Sequence, residues 1–218
     1  MTRPLAVLRP EPGNAATAMR VEAAGLSPIR LPLFAVAPVM WESPDPAGFD
    51  ALLVTSANAM RQGGEGLERL RALPVLAVGE ATAGAAAAAG FRVALTGQAD
   101  AAALVAEAGR SRLLHLAGRD RVDLPGVTSV TVYAADPLPV SPGQARSLAG
   151  SVALLHSARA ARRLGEVADI AEVGRRDIRV AALSEAVARA AGSGWAASTI
   201  ASAPNDEVLV AAAAALAD

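Results

Sequence analysis

The sequence predicts an α/β protein made of two lobes, each a five-stranded parallel sheet with flanking helices. Three observations carry that expectation. Short apolar strands alternate with alanine-rich helical segments, turn motifs recur in a rearranged order, and prolines mark two crossings between the halves.

In chain order, LAVLR (5–9) is an apolar run stopped by Pro10, and helix formers follow over 15–24. PIRLPL (28–33) leads into the first crossing. ALLVT (51–55) is apolar up to Thr55 and runs straight into a helix start, ANAMR. VLAV (75–78) passes through Gly79 into the alanine-rich helix 81–89, and RVAL (92–95) precedes the helix 101–108. RLLHL (112–116) and VTSVTVY (127–133) complete the middle region. VALLH (152–156) runs into SARAARR, RVAAL (179–183) into the helix 185–191, and AASTI (196–200) into the helix 206–216.

Ten strands are too many for one sheet in a chain of this length, and internal similarity divides them. VGEATAGAAAAAGF (78–91) resembles LSEAVARAAGSGW (183–195), IRLPLFAVAPV (29–39) resembles VTVYAADPLPV (130–140), and VLRPEPGN (7–14) pairs more faintly with HLAGRDRV (115–122). The proline-rich strand precedes the TSAN turn in the first region and follows it in the middle one. One lobe is therefore expected from 1–34 with 141–218 and the other from 38–134, with linkers at about 34–39 and 134–140. Pro32, Pro38, Pro137 and Pro139 favour extended backbone at both crossings. A double linker predicts a hinge with a cleft between the lobes.

Composition bounds the chemistry. There is no cysteine, and all twenty basic residues are arginine, so thiolate metal sites, disulfides and lysine Schiff bases are excluded. The near-neutral charge argues against a general nucleic-acid binder. The opening MTRPLAVLRPEP, broken by Pro4 and Pro10, predicts no signal peptide, and the longest apolar run is too short for a bilayer span. A soluble, cytoplasmic monomer without membrane or nucleic-acid partners is the expectation.

Helix starts at strand carboxyl ends offer bare N–H groups to anions. Thr55, Ser56, Ala57 and Asn58 stand at one such end, Gly79 and Thr82 at another, Ser157, Ala158 and Arg159 at a third. Gly118 with Arg119, and Arg9, follow two more strands. Each is individually explained by capping or surface charge; together they suit a ligand bearing several carboxylates. GSGWAA (192–197) follows a helix and enters a strand, the reverse of a dinucleotide fingerprint, and GGEG (63–66) lacks a P-loop continuation. His115 and His156 have no metal-ligand spacing, and His115 reads as a packed strand residue. Tyr133, the only tyrosine, ends a strand beside the second crossing.

The ordered set LLVTSANAMR, VGEATAGAAAAAGF, LAGRDRVDLP and VTVY, with RP at residues 9–10, resembles the uroporphyrinogen-III synthase family over nearly the whole chain. The resemblance implies two flavodoxin-like lobes on a two-stranded linker, and no cofactor or metal. It implies a cyclising hydro-lyase. Hydroxymethylbilane, a linear tetrapyrrole with an acetate and a propionate on each ring, loses water and closes with ring D inverted. It further implies that Tyr133 assists departure of the hydroxyl. Thr55, Ser56, Ala57, Asn58 and Thr82 would then face substrate, with Arg9 and Arg119 at the rim. The second lobe departs from the family: His156-Ser157-Ala158-Arg159 stands for a TSPS-like turn, and Ser184 to Ala188 for G-x-x-T-A. Those departures set a second reading beside the enzyme, a weakened or inactive homologue that binds tetrapyrroles or other small polyanions.

Overall fold

The computed structural model describes residues 2–97, 101–109 and 111–218. The chain runs β1 (Leu5–Val7), α1 (Gly13–Ala23), β2 (Pro28–Arg30), β3 (Phe34–Pro38), β4 (Ala51–Val54), α2 (Ala57–Gln62), β5 (Val75–Val78), α3 (Glu80–Ala88) and β6 (Val93–Gly97). It continues α4 (Ala101–Ala108), β7 (Leu113–Gly118), β8 (Thr128–Pro137), α5 (Pro142–Arg146) and β9 (Val152–Leu155). The last elements are α6 (Ala158–Ile170), β10 (Arg179–Ala182), α7 (Glu185–Ala191), β11 (Ala197–Ile200) and α8 (Asp206–Ala217).

Two sheets form, in the orders β11-β10-β9-β1-β2 and β3-β8-β7-β4-β5-β6. The ladders of β1, β9 and β10, and those joining β4 through β8, are parallel. The second sheet has six strands where the sequence predicts five. Phe34–Pro38, expected as linker, takes the edge place beside β8, where proline at a strand end costs no ladder bond. The chain divides into two compact units, Met1–Ala35 with Pro137–Asp218, and Val36–Asp136. Numbered within its own unit, the first sheet reads 5-4-3-1-2. The run β8-β7-β4-β5-β6 of the second gives the same order, seen from the opposite edge, when the chain is read from β7 round to β6. The two units are thus circular rearrangements of one topology.

Central strands are buried on both faces, which is why LAV, ALLV and VALL read as unbroken apolar runs rather than alternating ones. In the first unit, one face packs on α6 and α7 through Ala6, Leu155, Leu164 and Val187. The other meets α1 and α8 through Leu154, Val21 and Leu209. In the second unit, Leu52, Val54 and Leu116 pack on Met60 and Ala86, while Leu53 and Leu113 pack on Leu104 of α4. Alanine at the helix contacts lets helices lie close to the sheets, so few aromatics are needed.

Leu154, fully buried on β9, should lose about 3 kcal/mol of stability as Leu154→Ala, read by urea denaturation. A loss under about 1 kcal/mol would contradict the central place of β9.

Candidate functional site

Open parallel sheets leave a crevice outside the carboxyl ends of the two strands where the order reverses. In the unit Val36–Asp136 those strands are β4 and β7. A pocket of about 380 Å³ opens at their ends. Thr55, His115, Gly118, Asp120, Arg121 and Tyr133 give it a polar side; Val122 and Leu124 supply an apolar wall.

Register explains how these side chains meet. The β7–β8 ladder slips between Ala117 and Gly118, so that Gly118 comes level with Tyr133. A Cβ on Gly118 would stand 2.8 Å from Tyr133 Cζ and 2.9 Å from its hydroxyl oxygen. Glycine there gives the tyrosine ring its seat. The Arg119 N–H donates to the Tyr133 carbonyl at 2.9 Å, fixing the backbone beside it. His115 lies in register with Leu53 on one side and Ser129 on the other. It is 2% exposed, its Nε2 is 3.0 Å from Thr55 Oγ1, and its Nδ1 is 3.4 Å from Ser129 Oγ. Arg121 donates to Thr131 Oγ1 at 2.8 Å and to the Gly118 carbonyl at 3.3 Å. Burial first, and then the Arg121 charge, push the His115 pKa down to about 4, so the imidazole is neutral near pH 7.

The remaining residues singled out in this unit do structural work that the distances define. Ser56 caps α2 by accepting from the Asn58 N–H at 3.2 Å, and Ala57 opens that helix. Gly79 holds φ +80° before α3, and Thr82, buried in the first turn, donates its N–H to the Gly79 carbonyl at 3.1 Å. Arg119 ion-pairs with Asp136 at 2.7 Å, so its carboxylate partner comes from this chain.

In the other unit the order reverses between β1 and β9, and a carboxylate of the protein itself stands near their ends. Asp206 accepts from His156 Nε2 at 2.6 Å, Thr17 Oγ1 at 2.8 Å and Arg20 Nη1 at 2.7 Å, with Arg9 at 3.5 Å. Burial pushes the Asp206 pKa upward, but hydrogen bonds from His156 and Thr17 and the charges of His156 and Arg9 outweigh it and hold it at about 2. Burial lowers the His156 pKa against the pull of Asp206. Ser157 caps α6 through the Ala160 N–H at 3.1 Å, Ala158 begins that helix, and the Arg159 guanidinium lies 4.5 Å from the Phe34 ring centre. Ser184 likewise caps α7. Among the described residues no group of three or more His, Asp or Glu is placed to hold a metal ion. No helix there is long and apolar enough to cross a membrane.

Of the residues expected from sequence, the structure brings Thr55, Gly118 and Tyr133 into one pocket. Sequence reasoning passed over His115 and Arg121. The signal for Arg121 was its place two residues beyond Arg119 in LAGRDR; His115 needed the strand register, which no local pattern displays.

Residues 15–211 match the family model described as uroporphyrinogen-III synthase HemD. The fold is similar to that of uroporphyrinogen-III synthetase from Helicobacter pylori 26695, at 18% identity and a TM-score of 0.69, covering 99% of this chain and 100% of that one. It is also similar to a mutant uroporphyrinogen III synthase from the extremely thermophilic bacterium Thermus thermophilus, at 16% identity and a TM-score of 0.57, covering 97% and 96%. No curated protein sequence matches significantly.

The His115 shift sets a pH dependence of stability. Between about pH 6.5 and 4 the unfolded chain binds a proton at this residue and the folded one does not, so stability rises with pH across that window. The His115 contribution is complete above the unfolded value and falls away as pH drops towards 4, by roughly 3 kcal/mol at most. Urea melts at pH 7 and pH 4.5 should show a smaller acid loss for His115→Gln than for the parent. Equal losses would place the acid sensitivity elsewhere.

Proposed function

The chain belongs to the uroporphyrinogen-III synthase family, and from that premise we propose how its residues share the work of the reaction. The activity is the family's: a cyclising lyase closes hydroxymethylbilane to uroporphyrinogen III, with loss of water and inversion of ring D. The family match over residues 15–211 carries this conclusion.

The linear substrate closes without help to the symmetrical isomer, so the enzyme's task is steering. Ring D must attack through its substituted carbon, giving a spiro intermediate that rearranges. Holding the chain in that geometry supplies an entropic advantage of roughly 7–11 kcal/mol at the upper end. In our reading the pocket on β4, β7 and β8 seats a pyrrole ring against Val122 and Leu124, with its carboxylates towards Arg121 and Thr55. Tyr133, held on Gly118, faces the departing hydroxyl and donates to it as water leaves. A phenol suits that role, because its hydroxyl can donate to the departing oxygen.

In the unit Val36–Asp136 the helix starts at Ser56–Asn58 and Gly79–Thr82 are read as further seats for acetate and propionate arms, and Ser157–Arg159 is the corresponding helix start of the other unit. Arg119 in the pocket's own unit, and Arg9 in the other, are read as further carboxylate partners. The same reading takes the enzyme as a cytoplasmic monomer that uses neither cofactor nor metal and binds no nucleic acid. The steps described need only proton transfer and positioning.

Purified protein given freshly generated hydroxymethylbilane should yield predominantly the type III isomer. Type I in the proportion found in buffer alone would reject the activity and leave a binding protein without isomer control. Tyr133→Phe should lower kcat by about 10²-fold, the lower end of a general-acid effect, with an unchanged melting temperature. Gly118→Ala should lower kcat in the same sense, because its methyl group takes the space of the Tyr133 ring. Full activity in both variants would remove the tyrosine from the mechanism.

A further inference from the structure

We propose that His115 is a positioning residue that turns the Thr55 hydroxyl into a hydrogen-bond donor towards the pocket. The inference rests on the functional reading above, in which the pocket takes a carboxylate-bearing pyrrole. Its ground is a short chain of polar atoms, Ser129 Oγ to His115 Nδ1 at 3.4 Å and His115 Nε2 to Thr55 Oγ1 at 3.0 Å. Thr55 and His115 both line the pocket, whereas Ser129 does not.

A neutral imidazole has one donor nitrogen and one acceptor nitrogen, so the chain has two states. If Thr55 donates to Nε2, its hydroxyl shows only lone pairs to the pocket and repels a carboxylate. If Nε2–H donates to Thr55, the threonine proton is released to point at the ligand. The Ser129 hydroxyl, free to rotate, then donates to the bare Nδ1. A carboxylate ligand therefore selects the Nε2–H form, and the direction of every hydrogen in the chain follows. The buried setting keeps the ring neutral, and neutrality is what leaves the choice between the two states open. Arg121 acts in the same direction, as its charge beside the ring opposes a second proton.

The chain holds two histidines, so nitrogen NMR of histidine-labelled protein gives two assignable rings, separated by a His115→Gln sample. His115 should show a protonated Nε2 and a bare Nδ1. Kinetically, His115→Leu should raise KM about tenfold with little change in kcat, the pattern of a lost ground-state contact. His115→Gln, which keeps a donor near the Nε2 position, should recover most of it. In a Thr55→Val background the His115→Leu effect should vanish, since the two act as one. A proton on Nδ1 overturns the proposal. So does an unchanged KM, or an effect that persists without the Thr55 hydroxyl. If the parent protein makes no type III isomer, the functional reading fails, and the NMR result alone decides the tautomer.

Discussion

The reversal of strand order within a parallel sheet is the constraint on which the rest depends. Where neighbouring strands send their following helices to opposite faces, neither helix covers the carboxyl ends between them, and a crevice is left. In one unit α1 and α6, following β1 and β9, lie on opposite faces; in the other the order reverses between β4, which leads into α2, and β7, which a loop joins to β8. Thr55, Gly118 and His156 stand at the ends of those strands, and Tyr133 from β8 and Asp206 from the start of α8 join them. The surrounding aliphatic core fixes the strands, and the strands fix the side chains at their ends.

The two crevices are filled differently despite their shared topology. In the unit Val36–Asp136 the crevice remains a pocket, with Tyr133 laid on Gly118 and a neutral His115 joined to Thr55. In the other unit Asp206 satisfies His156, Thr17 and Arg20 from within the chain. A carboxylate of the protein stands there beside the charges of Arg9 and Arg20. In the HSAR turn His156 is held by Asp206, and the Ser157 hydroxyl caps α6 through the Ala160 N–H.

Much of the architecture was legible because it is written in local patterns. Unbroken apolar runs such as ALLV and VALL announced buried parallel strands, and the displaced repeats announced a rearranged topology. The edge strand Phe34–Pro38 was not legible, since Pro38 fits a linker as well as an edge, and only pairing with β8 distinguishes them. At the site, Thr55 and Gly118 were marked by the motifs at their strand ends, and Tyr133 by the family resemblance. His115 is the buried strand residue that the sequence predicts, but its contacts with Thr55 and Ser129 depend on strand register, which no local pattern displays. Arg119 and Arg159 carried the right charge, but their partners, Asp136 and the Phe34 ring, lie in segments distant in sequence.

The central claim is that substrate is held at the carboxyl ends of β4 and β7. Hydrogen exchange of the backbone amides, followed with and without uroporphyrinogen III under anaerobic conditions, tests it most directly. The account predicts slowed exchange on ligand addition at residues 55–58 and 117–121, with the fully buried cores of both sheets unchanged. Protection confined to other segments, with these strand ends exchanging as in the free protein, would contradict it.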